Sequence, residues 1–177
     1  MHLLFVCTGN ICRSPLAERL AASYALSQDL QDFRASSAGT RAVIGHPMHV
    51  DAARVLLTLG GEPDNFAARQ LRPNIVSDAD LILTMTRSHR DAVLEVAPRH
   101  LRRTFTLAEA SWLTSEFNVS QVEELATLRP RLPINELADV PDPIGQPPEF
   151  FSAVGSQIEE LLGPVMQLCA DNSPGTL

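Results

Sequence analysis

The first fifteen residues hold the pattern that most restricts the fold of this chain. Residues 3–6 form an uninterrupted apolar run, Leu-Leu-Phe-Val, typical of a strand that is buried on both faces. Turn-forming residues follow at positions 8–10. Ser14 and Pro15 then suit a helix start, with Ser at the N-cap and Pro at the first helical position. A strand, a tight loop and a helix in this order predict the first unit of a parallel α/β sheet.

Strand-like and helix-like segments alternate along the rest of the chain. We predict strands over residues 33–37, which a turn closes, over residues 80–85, which contain an apolar run, and over residues 104–105. Helical spacing predicts helices over residues 14–25, 50–59, 88–96, 107–113 and 119–128 and from Phe151 onward. We therefore expect a three-layer α/β sandwich, with a central four-stranded parallel sheet flanked by helices, of the flavodoxin-like class. Ligands of such folds bind beyond the carboxyl ends of the strands, where residues 7–14 are expected to lie.

The length of 177 residues suits a single domain. We assign it to residues 1–170 and interpret residues 171–177 as a flexible tail. Residues 129–148 contain six prolines and are predicted to form one long irregular loop. Pro164 is expected to kink or shorten the last helix.

Charge and cysteine usage exclude several classes of function. The formal net charge is −7 without a clustered basic tract, so we expect binding neither to nucleic acid nor to an acidic membrane surface. The three cysteines do not resemble a secreted disulfide framework, and no His or Cys cluster has the spacing of a zinc site. No metal or cofactor is expected. The apolar run at residues 3–6 is too short for a signal peptide or a membrane span, which favours a cytoplasmic protein.

The segment from Cys7 to Ser14 carries the groups that metal-free phosphate chemistry needs. A nearby helix N-terminus and Arg13 can lower the pKa of a thiol, so Cys7 is a candidate nucleophile. The backbone N–H groups of residues 8–13 can form an anion-binding nest, and Gly9 and Asn10 tolerate the positive φ values of such a loop. Arg13 offers a planar fork to two phosphate oxygens. Ser14 can donate a hydrogen bond to the thiolate.

These residues resemble the signature loop of the low-molecular-weight protein tyrosine phosphatases, at the N-terminal position where that family carries it. The resembling segments span nearly the whole chain: Cys7-Thr8-Gly9-Asn10-Ile11-Cys12-Arg13-Ser14-Pro15, Ser37-Ala38-Gly39-Thr40, Ala68-Arg69-Gln70, residues 80–86 and Pro141-Asp142-Pro143. The resemblance implies that residues 8–14 bind the phosphate. It also implies that Ser37 supports the loop through Asn10, together with Ser14.

The resemblance further implies a two-step mechanism. Cys7 attacks phosphorus and forms a phosphocysteine, while Asp142 protonates the leaving oxygen and then activates water. From the residues alone, Asp139 is an alternative acid in the same loop, although the prolines that flank Asp142 rigidify its backbone. Cys12 is interpreted either as a small packing residue or as a partner that protects an oxidised Cys7 through a reversible disulfide.

The expected substrate is a phosphorylated protein or a small phosphomonoester. Ile11 resembles the apolar residue of the tyrosine-directed members, whereas relatives that act on phosphoarginine tend to carry Thr there. The places where the family sets aromatic residues hold none here, at residues 41–44 and at Ile144 and Gly145. Ile11 thus favours phosphotyrosine, whereas the lack of aromatic residues leaves phosphoarginine or a small phosphomonoester as the alternative.

Two other classes of function remain as alternatives. Thioredoxin-coupled arsenate reductases share the fold and a similar loop, but they need two further resolving cysteines, and this chain has none between Cys12 and Cys169. A non-catalytic phosphate-binding module would typically have lost the nucleophile, the arginine or the acid, and candidates for all three are present.

Overall fold

The computed structural model describes residues 1–133 and 135–171. The strands are β1 (His2–Cys7), β2 (Arg34–Gly39), β3 (Leu81–Thr84) and β4 (Thr104–Thr106). The helices are α1 (Arg13–Ser27), α2 (Val50–Thr58), α3 (Pro73–Ser77), α4 (Arg87–Val96), α5 (Leu107–Phe117), α6 (Val122–Leu128) and α7 (Pro148–Asp171), with short 3₁₀ turns at Pro98–Arg103 and Arg129–Arg131.

The four strands form one parallel sheet in the order β2-β1-β3-β4. This order reverses at β1, which pairs with β2 on one side and β3 on the other. Reversal creates a crevice beyond the carboxyl end of β1, the usual place for a ligand in a doubly wound fold. The predicted four-stranded parallel sheet and flavodoxin-like class are confirmed.

Alternating side chains of β1 enter two separate cores, which explains why the whole strand is apolar. Leu3, Phe5 and Cys7 belong to the larger core, which α1, α2, α5, α6 and α7 cover. Leu4 and Val6 belong to a smaller core, which α3 and α4 cover. The sheet is therefore the middle of three layers, and β1 runs through the centre of the molecule.

The start of α1 differs from the sequence prediction. The helix begins at Arg13, with Cys12 at the N-cap position and no side-chain cap, so the prediction of Ser14 as the N-cap is wrong. The physical reason is that the Ser14 hydroxyl is used elsewhere: it lies 2.9 Å from Cys7 Sγ and accepts a hydrogen bond from Asn10.

The last helix also differs from the prediction. α7 begins at Pro148 and continues to Asp171, so Pro164 does not shorten it. Burial of the residues that follow the proline holds the helix against the core. These residues are Val165, Met166, Leu168 and Cys169. Apart from Asp171, the tail predicted for residues 171–177 lies outside the described residues.

Within residues 1–133 and 135–171, no helix has both the length and the apolar character that a membrane crossing requires.

Candidate active site

Residues 8–12 form a loop between β1 and α1 whose carbonyl oxygens point away from its centre. The carbonyls of Cys7, Thr8, Gly9 and Ile11 accept hydrogen bonds of 2.9, 3.0, 2.9 and 2.7 Å from the backbone N–H groups of Thr40, Arg41, Val43 and His49. In a trans peptide the carbonyl and the following N–H point in opposite directions. The N–H groups of residues 8, 9, 10 and 12 therefore point into the loop, as an anion nest requires.

Asn10 gives the loop its sharp bend and connects it to β2. Its φ is +56°, a left-handed conformation that Asn tolerates better than most residues. Its Oδ1 accepts from the backbone N–H of Arg69 at 2.8 Å, and its Nδ2 donates to Ser37 Oγ at 2.8 Å and to Ser14 Oγ at 3.0 Å. Asn10 is completely buried, so these bonds are sheltered from water.

The hydrogen bonds of Asn10 determine in which direction the Ser14 hydroxyl can donate its own hydrogen bond. Because Ser14 Oγ accepts from Asn10, its own hydrogen is free to point at Cys7 Sγ, 2.9 Å away. Ser37 Oγ likewise accepts from Asn10 and donates to Glu18 Oε2 at 2.6 Å. Burial raises the pKa of the Glu18 carboxyl, partly opposed by the hydrogen bond from Ser37. The three supporting residues predicted from the sequence, Asn10, Ser14 and Ser37, thus lie in one connected network.

Arg13 is the first residue of α1, directly after the loop, and is 5% exposed. Its Nη1 donates to the Val140 carbonyl at 3.0 Å, and its Nη2 lies 2.9 Å from Asp142 Oδ2. The Val140 N–H in turn donates to the Met85 carbonyl at the end of β3. The guanidinium is thus held in a fixed orientation at the mouth of the loop.

The structure separates the two candidate acids. Asp142 reaches Arg13 and lines the same cavity as Cys7, and its side chain is half exposed. Asp139 instead accepts a hydrogen bond of 3.0 Å from the backbone N–H of Arg87 at the start of α4. Of these two carboxylates, Asp142 is therefore the one that lies at the cavity with Cys7.

A cavity of about 290 Å³ opens above the loop. Its lining residues are Cys7, Thr8, Gly9, Ile11, Cys12, Arg13, Arg41, Val43, Asp142 and Ile144. In the described part of the chain, no aromatic side chain lines it. Phe151 instead packs in the core, where its ring stacks on His49 with centroids 4.9 Å apart. The hydrophobic side chains at the sides of the cavity are therefore aliphatic, namely Ile11, Val43 and Ile144, as the sequence predicted.

Cys12 also reaches this cavity, but its thiol differs in environment. Burial, together with the nearby Cys7, raises the pKa of Cys12 to about 12. Cys12 is therefore a neutral thiol at physiological pH, and the structure contains it as a free cysteine.

Sequence analysis missed one residue at the loop. His89 is 6% exposed, and its Nε2 lies 2.8 Å from Thr8 Oγ1. His89 lies three residues after Thr86, the N-cap of α4. The residues around it could not predict the contact with Thr8, because the two residues are 81 positions apart in the sequence. Among residues 1–133 and 135–171, no group of His, Cys, Asp and Glu side chains could hold a metal ion.

The sequence matches a family of phosphatases and individual phosphatases of known name. The sequence profile of the family named low molecular weight phosphotyrosine protein phosphatase matches residues 2–124. The low molecular weight protein-tyrosine-phosphatase Etp of Escherichia coli is 36% identical over 111 residues, which are 63% of this chain and 70% of Etp. A protein-arginine-phosphatase of Geobacillus stearothermophilus is 31% identical over 161 residues, which are 91% of this chain and 90% of that protein.

Solved structures extend the similarity to the fold. The YwlE arginine phosphatase, in a mutant whose active-site serine is phosphorylated, superposes with a TM-score of 0.76 at 28% identity. The match covers 94% of both chains.

Proposed function

The chain belongs to the low molecular weight phosphotyrosine protein phosphatase family, and on this premise we propose that Cys7, Arg13 and Asp142 carry out its hydrolysis of phosphomonoesters. The resemblance drawn from the loop sequence is thereby confirmed, as is the enzyme class, phosphoric monoester hydrolase. The arsenate reductase and binding-module alternatives receive no support, since the relatives described above are named phosphatases.

The proposal rests on one observation: a thiol, a guanidinium and a carboxylate meet at one cavity above a ring of inward N–H groups. Phosphate oxygens would accept from these N–H groups and from the Arg13 fork. Cys7 Sγ would then lie in line with the bond to the leaving oxygen.

In the first step, the thiolate form of Cys7 forms a bond to phosphorus while the bond from phosphorus to the ester oxygen breaks. Asp142 gives its proton to that oxygen. In the second step, Asp142 takes a proton from water, the water oxygen bonds to phosphorus, and the S–P bond breaks. The Ser14 hydroxyl, 2.9 Å from the sulfur, stabilises the departing thiolate. The phosphorylated active-site serine of the YwlE mutant supports transfer to a side chain at this position.

We test this mechanism with para-nitrophenyl phosphate in the presence of EDTA. Wild type should turn over without metal, and Cys7→Ser should be inactive. Asp142→Asn should lose about 10²–10⁴-fold in kcat, the usual contribution of a positioned acid. Asp139→Asn is the matched control, since Asp139 contacts Arg87 rather than the cavity, and should lose far less. Full activity of Cys7→Ser, or equal losses for both aspartates, would contradict the assignment.

The proposed substrate is a phosphotyrosine side chain of a protein. Ile11, Val43 and Ile144 give the cavity apolar lining against which an aryl ring can pack. The similarity to arginine phosphatases supports phosphoarginine as the second candidate. We place the activity in the cytoplasm, which three buried cysteines that form no disulfide support.

Paired peptides that differ only in carrying phosphotyrosine or phosphoarginine distinguish the two candidates. We expect the higher kcat/KM for phosphotyrosine, and a shift toward phosphoarginine in Ile11→Thr. A higher kcat/KM of the wild type for phosphoarginine would reverse the order of the candidates.

A further inference from the structure

His89 lies against the phosphate-binding loop but takes no part in the mechanism above. It lies in the first turn of α4, where its backbone N–H donates to the Thr86 hydroxyl at 3.2 Å. Its ring joins two hydroxyls: Nδ1 lies 2.9 Å from Thr86 Oγ1, and Nε2 lies 2.8 Å from Thr8 Oγ1. The ring therefore connects the start of α4 to the residue that follows the nucleophile.

The loop is thus held by side chains from two sides. On one side, Asn10 bonds to Ser37 and to the backbone of Arg69. On the other side, Thr8 bonds to His89. Because the N–H of Thr8 is one of those that point into the loop, the angle of this peptide depends on how firmly Thr8 is held.

The surroundings keep the ring uncharged at neutral pH. The charged groups that face it are Arg13, Asp142 and Asp139. Burial, and then the positive charge of Arg13, lower the pKa of His89 to about 4, against the smaller opposing effect of the two aspartates. A neutral imidazole has one donor and one acceptor nitrogen, which suits a bridge between two hydroxyls.

We propose that His89 is a positioning residue, which holds Thr8 through its hydroxyl and thereby aims the N–H groups beside Cys7 at the phosphate. This inference deepens the proposed function and rests on it for the identity of the ligand. His89 itself touches neither substrate nor nucleophile, so it acts through Thr8.

The test uses four single variants of the full chain, one double variant and a control variant, with two binding and kinetic measurements. Calorimetry gives the affinity for inorganic phosphate, and para-nitrophenyl phosphate gives kcat and KM. His89→Leu removes both ring nitrogens, and Thr8→Val removes the partner hydroxyl while keeping the β-branched shape. His89→Gln places an amide near the position of Nε2, whereas His89→Asn is too short to reach Thr8.

We expect His89→Leu, His89→Asn and Thr8→Val each to weaken phosphate binding by about 3- to 10-fold, the usual effect of one hydrogen bond. KM should rise by a similar factor. The double variant His89→Leu with Thr8→Val should lose no more than either single variant, since both remove the same bond. His89→Gln should restore most of the affinity.

Two controls separate positioning from general damage. His100→Leu removes a histidine that bonds to Arg103, away from the loop, and should leave phosphate affinity unchanged. Thermal unfolding of each variant sets an assay temperature at which all are folded.

Unchanged phosphate affinity in His89→Leu, additive losses in the double variant, or no recovery in His89→Gln would each overturn the proposal. Phosphate binding does not require turnover. A failure of the hydrolytic mechanism would therefore appear in the Cys7→Ser and Asp142→Asn assays and not in this one.

Discussion

At the scale of single residues, the three cysteines differ in what surrounds their sulfur atoms. Cys7 lines the cavity beside the inward N–H groups and the Ser14 hydroxyl. Burial raises the pKa of both Cys12 and Cys169 to about 12, and Cys169 lies within the larger core. One chain thus contains a thiol placed for chemistry and two that remain protonated.

This difference predicts selective alkylation. Iodoacetamide at pH 7 should modify Cys7, which lines the cavity, and abolish activity. Cys12 and Cys169 should stay unmodified, because a thiolate is the reacting species and their raised pKa values keep both as thiols. Peptide mass spectrometry locates the label, and inorganic phosphate should slow the reaction at Cys7. Equal labelling of Cys7 and Cys12 would contradict the prediction.

The buried ring of His89 predicts a pH dependence of stability. The unfolded chain binds a proton at this residue with a pKa of 6.5, and the folded chain only at about 4. Between these values the unfolded state holds more protons, so the free energy of unfolding falls as the pH is lowered from 6.5 toward 4. The full effect is present above pH 6.5 and amounts to about 3 kcal/mol at most.

Urea denaturation of wild type and His89→Gln at pH 7 and pH 4.5 measures this effect. Wild type should lose more stability than the variant over that interval. His2 and His100, whose pKa values are also lowered by burial, are present in both proteins and cancel in the comparison. Parallel losses in the two proteins would contradict the assignment of a buried neutral ring.

At the scale of elements, two glycines of α7 have different roles. A Cβ at Gly155 would lie 2.3 Å from Val55 Cγ1, so the absence of a side chain lets α7 pack closely against α2. A Cβ at Gly163 would meet no heavy atom of another segment within 4 Å. Gly163 weakens the helix through its conformational freedom, but it also precedes Pro164, whose ring crowds a side chain at the preceding helical position.

The matched substitutions should change stability by different amounts. Gly163→Ala should change the free energy of unfolding by less than about 1 kcal/mol, because the gain from reduced conformational freedom is offset by crowding from Pro164. Gly155→Ala should lower it by about 1–3 kcal/mol, because two packed helices must separate. Urea denaturation of both variants measures these changes, and a loss in Gly163→Ala as large as that in Gly155→Ala would contradict the packing argument.

The elements that the sequence predicted well are those that local pattern determines. The apolar run of β1, the turn after it and the helical face of α1 follow from neighbouring residues alone, and the alternation of such units led to the parallel sheet. The prediction at Ser14 failed because the hydroxyl bonds to Cys7 and Asn10 rather than to the helix end. The predicted shortening of the last helix at Pro164 failed because tertiary packing outweighs a local helix breaker.

At the scale of the whole molecule, the remaining parts of the site could not be predicted because they come from distant segments. Arg13 meets Val140 across 127 residues, and Thr8 meets His89 across 81. Only the order of the strands brings these segments together. The resemblance indicated Asp142, whereas the distinction from Asp139 depends on which carboxylate faces Arg13 and which faces Arg87.

Because the loop is bonded to several elements, a bound anion should stabilise the entire fold. Inorganic phosphate at 100 times its Kd should add about 2.7 kcal/mol to the free energy of unfolding, since only the folded state binds it. Thermal unfolding with and without phosphate measures the gain. Cys7→Ser should keep it and Arg13→Ala should lose most of it. An equal gain in Arg13→Ala would place the phosphate elsewhere.

The aliphatic rim of the cavity has a consequence for how such an enzyme can diversify. Val43 and Ile144 are 39% and 47% exposed, whereas Asn10, Arg13 and Ser14 beneath them are buried and hydrogen-bonded. Substitutions at the rim therefore cost little folding stability, while those in the floor disrupt the reaction itself. Evolution or protein engineering can therefore change the substrate specificity by exchanging a few exposed side chains at the rim, while the buried residues of the phosphate-binding loop stay the same.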